Sequence, residues 1–178
     1  MRKRRLFSAL IFAVPVVLAA ATFAVAGDSG KSQFKADALT GYQEAPAIST
    51  EATGSFEATL NADDTISYTF SYSGLEAPVT QAHIHFGQRD VAGGISVFLC
   101  TNLGNGPAGT QPCPPSPATI SGTFTAADVI GPTGQGIAAT EFSELVRAVR
   151  AGMTYANVHS SKFPGGEARG QINDNDRR

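Results

Sequence analysis

Thr65-Ile66-Ser67-Tyr68-Thr69-Phe70-Ser71-Tyr72 carries the clearest strand pattern in the chain. Ile66, Tyr68, Phe70 and Tyr72 alternate with Ser67, Thr69 and Ser71, and a period of two sends successive side chains to opposite faces of a strand. One face is therefore apolar and buried, the other hydroxylated and wet. Upstream, Phe56, Ala58 and Leu60 alternate with Ser55, Glu57 and Thr59. Asn61-Ala62-Asp63-Asp64 lies between the two runs and supplies turn chemistry, so the pair reads as a hairpin.

Outward from this hairpin, Gly and Pro punctuate the chain about every eight to twelve residues, the rhythm of a β domain. Further short strands are expected at 34–39, 80–86, 95–100, 119–124, 154–159 and 167–172. One helix interrupts them, over about residues 140–151. There Phe142, Leu145, Val146 and Val149 fall at helical spacing, with Thr140 as its cap and Gly152 past its end. Thr125 and Asp128 stand at capping-box spacing and predict a single turn at 126–129. Residues 104–117 are too rich in Gly and Pro for either element. The expected class is mainly β, a Greek-key β-sandwich or barrel with one short helix.

The N-terminal segment has a different character. Arg2-Lys3-Arg4-Arg5 precedes an apolar run over residues 6–25, which closes on Ala24-Val25-Ala26. A charged start, an apolar middle and an A-x-A site predict a cleavable signal peptide over 1–26. A linker over 27–33, a β domain over 34–172 and a polar tail over 173–178 would follow. The run is also long enough for an uncleaved anchor, but it is Ala-rich, broken by Pro15 and followed by Gly27-Asp28-Ser29-Gly30. Arg4-Arg5-Leu6-Phe7 only loosely resembles a twin-arginine signal, and no Cys stands near the cleavage site to carry a lipid. The expected location is secreted, periplasmic or in the cell envelope.

Beyond residue 26 the chain carries nine Lys/Arg against fifteen Asp/Glu, a net charge near −6. No basic patch is available to meet phosphate charge, which argues against a nucleic-acid partner. No second long apolar run occurs, so no membrane span is expected after cleavage. Cys100 and Cys113 are the two cysteines, and an exported chain with one such pair is expected to close it as a disulfide. A structural zinc site usually takes more thiolates at tighter spacing.

All three histidines fall in two strand-like segments, Gln81-Ala82-His83-Ile84-His85-Phe86-Gly87 and Tyr155-Ala156-Asn157-Val158-His159. With Ala82, Ile84 and Phe86 towards the core, His83 and His85 share the opposite face. Tyr155, Asn157 and His159 share the face opposite Ala156 and Val158, and Glu167, Arg169 and Gln171 that opposite Ala168 and Ile172. A His-x-His pair on one face with a third His from a neighbouring strand makes a three-nitrogen set suited to copper or zinc. Glu44 or Glu167 would supply a fourth, closing ligand. The other reading is a polar surface patch in which the histidines bond to Asn157, Glu167 or the backbone. No Gly-x-Ser-x-Gly elbow is present, and the glycines of residues 87–94 lack the helix and Lys-Ser/Thr ending of a phosphate loop.

Three separated motifs then point to one family. They are Leu39-Thr40-Gly41-Tyr42-Gln43-Glu44-Ala45-Pro46 with Thr53-Gly54; Ala82-His83-Ile84-His85-Phe86-Gly87; and Tyr155-Ala156-Asn157-Val158-His159-Ser160 with Pro164-Gly165-Gly166-Glu167-Ala168-Arg169-Gly170-Gln171-Ile172. In this order, over about residues 34–172, the chain resembles the CHRD domain of animal chordin and of exported bacterial proteins. Ala47 replaces a second proline frequent in the family's opening motif, and the insert between Cys100 and Cys113 is not general to it. With this resemblance the chain is expected to be a non-enzymatic extracytoplasmic binding or structural module for an unknown ligand or protein, or else a copper- or zinc-binding protein using His83, His85 and His159. The His-x-His strand also looks like copper–zinc superoxide dismutase, whose dinuclear site needs more histidines than this chain has.

Overall fold

A computed structural model describes residues 33–172 of the chain. The expected signal peptide, nearly all of the linker and the polar tail lie outside the described residues. Among the described residues eight strands form: β1 (Gln33–Thr40), β2 (Thr53–Leu60), β3 (Ile66–Ser73), β4 (Val79–Phe86), β5 (Gly94–Thr101), β6 (Ala118–Phe124), β7 (Thr154–Ser160) and β8 (Ala168–Gln171). Each lies within two residues of its expected place.

They make a single antiparallel sheet in the order β5-β4-β7-β8-β1-β2-β3-β6. Of the two expected architectures this is the barrel-like one, because one sheet curls upon itself instead of two packing face to face. The curl brings the Tyr68 hydroxyl of β3 to the Leu99 carbonyl of β5, 3.1 Å away, although these strands stand far apart in the sheet order. Gln111 closes the seam further, donating to both the Tyr68 hydroxyl and the Leu99 carbonyl. Cys100 on β5 is disulfide-bonded to Cys113 of the Gly/Pro-rich loop, with Cα atoms 5.0 Å apart.

The hairpin works as its sequence indicates. Leu60 pairs with Ile66, the Asn61 amide donates to the Thr65 carbonyl at 2.8 Å, and Asp64 takes the left-handed conformation that short polar side chains tolerate. Alternation then sends Phe56, Ile66, Tyr68, Phe70 and Tyr72 inward, where they meet Phe34, Ile84 and Phe124. Helix α1 (Phe142–Arg150) packs Leu145 and Val149 against this interior, beside Phe34, Phe56, Ile84, Phe124 and Ile172. The expected Thr140 cap does not form. Thr140 has a positive φ of 69° and Glu141 is the N-cap, its carboxylate accepting from the Ala138 amide just upstream. The Thr125–Asp128 capping box is present on a single 3-10 turn.

Candidate metal centre

The register of β4, β7 and β8 assembles the polar face. His83 pairs with Asn157 and Asn157 with Arg169; His85 pairs with Tyr155 and Tyr155 with Gln171. Gln81 pairs with His159. The alternation places these side chains opposite Ala82, Ile84, Ala156, Val158 and Ala168, as expected. Their exposure is the correction. His83 is 0 % exposed, His85 8 % and His159 5 %, and Asn157, Glu167 and Arg169 are likewise buried. The expected surface patch is a second, polar interior, because loops lie over it.

Backbone carbonyls of those loops hold the histidines. His85 Nδ1 donates to the Gly93 carbonyl at 2.9 Å and His159 Nδ1 to the Pro164 carbonyl at 3.0 Å. A carbonyl only accepts, so each of these neutral rings carries its proton on Nδ1 and presents a bare Nε2 lone pair. His83 Nδ1 lies 3.1 Å from His159 Nε2 and is the donor of that pair. His83 Nε2 and His85 Nε2, both buried, have no hydrogen-bond partner among the described residues. One nitrogen from each of the three residues lies within 4.8 Å of the other two. The sequence thus indicated which residues share a face, and the strand order β5-β4-β7-β8 is what brings them together.

Burial keeps these rings neutral. Desolvation takes His83 down to about 2, with the neighbouring His159 and His85 adding to it. Desolvation also lowers His85 and His159 to about 4, against the opposing pull of the Gly93 and Pro164 carbonyls. Neutral imidazole is the form that ligates metal, and an Nδ1–H anchored on a carbonyl is the usual outer support of a metal-bound histidine.

Of the expected hydrogen-bond partners the backbone is used, whereas Asn157, Glu167 and the fourth ligands stand elsewhere. Asn157 donates to Glu44 Oε1 at 2.8 Å, not to a histidine, and desolvation raises the Glu44 pKa to about 7. Glu167 accepts from the Thr50 hydroxyl and the Glu76 amide. Neither carboxylate joins the three-histidine cluster. Gly166 lies against the Glu44–Asn157 pair with φ 129°; a Cβ there would fall 2.7 Å from a Glu44 oxygen, so this position requires glycine.

Two neighbours carry weight that the residue pattern alone did not assign. Tyr155 stacks face to face on His85, centroids 4.8 Å apart, and its hydroxyl accepts from the Gly93 amide. The Arg169 guanidinium lies over the same Tyr155 ring, 4.5 Å from its centroid, and donates to the Gln43 and Val91 carbonyls of two covering segments. Shared parity on neighbouring strands was the available signal for both. Phe98, edge-on to His83 at 4.3 Å, was not legible, because the β4–β5 register shifts on either side of the His83–Phe98 pair.

A protein-family model, the CHRD domain, matches residues 36–172, which contain every residue of this centre. No curated protein and no solved structure matches the chain.

Proposed function

Because the chain belongs to the CHRD domain family, we propose that it is a non-catalytic extracytoplasmic module that binds one copper or zinc ion through His83, His85 and His159. The observation that carries this reading is the convergence of three buried, neutral imidazoles, with the bare His85 Nε2 left without a hydrogen-bond partner among the described residues. An unmet buried nitrogen is costly, and a metal ion is a natural partner for it. The 3.1 Å between His83 Nδ1 and His159 Nε2 is close to the roughly 3.4 Å expected for two nitrogens sharing an ion at about 2 Å. An ion there replaces the proton between them, which moves to His83 Nε2.

The disulfide supports export, since such bridges persist in oxidising compartments. Mass spectrometry of the mature protein is expected to find its N-terminus at or near Gly27; recovery of the intact N-terminal segment in membranes would refute cleavage. Metal analysis of untagged protein, reconstituted and desalted, is expected to give one equivalent of copper or zinc, lost in His85→Ala and His159→Ala. Full-length wild-type protein that retains neither metal would leave the histidines as organisers of the covering loops. That second reading has its own support in the bonds to Gly93 and Pro164.

A further inference from the structure

We infer, resting on the three-histidine reading above, that the ion this site selects is monovalent copper, held by three imidazoles without an anionic ligand. The argument is one of charge and coordination number. All three ligands are neutral, and among the described residues no carboxylate or thiolate joins the cluster. A dication placed there would bring two uncompensated charges into a buried site, and desolvating charge without a counter-charge is heavily penalised. A monocation halves the charge, and the penalty falls more steeply still because Born energy grows with the square of charge.

The surroundings push in the same direction. Arg169 is 3 % exposed, and its fixed positive charge lies over Tyr155, which stacks on His85. Two acidic groups are buried on this face, and both are bonded away from the histidines, Glu44 to Asn157 and Glu167 to the Thr50 hydroxyl and the Glu76 amide. Burial disfavours the anion of Glu44.

Coordination number separates the candidates again. Zinc sites are almost always four-coordinate, the fourth position being taken by a protein ligand or water. Copper(I) is satisfied by three nitrogens in a plane. Here His83 is fully buried, Phe98 meets its ring edge-on and Tyr155 covers the face of His85. These contacts favour a closed three-nitrogen site.

The test is an anaerobic competition titration of untagged full-length mature protein. Copper(I) is supplied against a copper(I)-specific chromogenic chelator, and zinc(II) and copper(II) against chelators suited to each. One equivalent of copper(I) is expected, held at least roughly a hundred-fold more tightly than either dication, with the X-ray absorption edge of three-coordinate copper(I). Arg169→Gln is expected to narrow the preference over zinc by roughly ten-fold, a size typical of changes just outside the ligands. Zinc(II) or copper(II) bound as tightly as copper(I) would overturn the selectivity and leave the three-histidine site standing. A two-coordinate edge, or copper(I) binding unchanged in His159→Ala, would overturn three-nitrogen ligation. Retention of none of the three ions would overturn both readings.

Discussion

The two halves of the sheet use the same alternation and treat their polar faces in opposite ways. In β2, β3 and β6 the interior receives Phe56, Tyr68, Phe70 and Ile120, while the outer face carries hydroxyls in reach of water. Ser55 and Ser71 bond across strands at 2.8 Å, and Thr69 and Ser121 at 3.2 Å. In β4, β7 and β8 the interior receives Ile84, Ala156, Val158 and Ala168, yet the outer face is buried too. Every residue of β7 and β8 is buried. The difference teaches that alternation assigns chemistry to a face, whereas burial is assigned by whatever lies over it. A hydroxyl on the open half exchanges one water-like partner for another. An imidazole or carboxyl on the covered half must find its partner inside the protein.

Five measurements sharpen or break this contrast. The largest effect is expected from Ile84→Asp, which puts a charge into the apolar interior with no partner in reach. Destabilisation beyond about 4 kcal/mol is expected, enough to leave the chain unfolded by circular dichroism. A folded Ile84→Asp protein would mean that the interior and exterior of β4 are inverted.

Acid is expected to act next, through the covered half. The three histidines have folded pKa values below the ordinary 6.5, so between that value and about 4 the unfolded chain binds more protons. Stability is therefore full above about 6.5 and falls as pH drops through 4. Glu44 has the opposite sign, since its folded value near 7 exceeds the usual 4.5 and stability declines as pH rises between the two. Three downward shifts outweigh one upward shift, so metal-free protein is expected to melt at a lower temperature at pH 4.5 than at pH 7. His85→Gln should flatten that dependence. An unchanged melting temperature across this range would mean that the histidines are hydrated.

The disulfide joins the halves, because Cys100 belongs to β5 and the loop bearing Cys113 bonds to Tyr68 and Tyr72 of β3. Replacing both cysteines by Ser is expected to cost about 3 kcal/mol in denaturant unfolding while leaving the fold intact. A loss close to zero would show that the seam is held without it.

Asn157→Ala should cost about 2 kcal/mol, because it removes the partner of a buried Glu44 carboxyl. Its counterpart on the open half, Ser71→Ala, should change stability by less than about 0.5 kcal/mol, since water replaces the lost bond to Ser55. Equal costs for these two substitutions would erase the distinction between the covered and open faces.

Much of this molecule was legible in the chain, for local reasons. The alternation in 65–72, the Asn/Asp turn before it and the helical spacing of Phe142, Leu145, Val146 and Val149 depend on backbone geometry within a few residues. So the strands, the hairpin and the helix body fell where expected, while the Thr140 cap did not. Cap identity depends on how the preceding chain enters, and here Thr140 enters left-handed after donating its amide to the Val129 carbonyl.

The candidate site divides along the same line. By itself the sequence determined that His83 and His85 share one face, that His159 shares the parity of Asn157, and that the family is CHRD. Tertiary structure alone decided that β7 lies beside β4, that the loops bearing Gly93 and Pro164 cover the face, and that Glu44 and Glu167 bond elsewhere. The physical reason is range. Side-chain parity is fixed by the two-residue repeat of a single strand, but strand order and loop cover come from contacts between distant segments, 76 residues apart for His83 and His159 and 113 for Glu44 and Asn157. That long-range cover turned three polar side chains expected at a wet surface into three neutral, desolvated imidazoles facing one another.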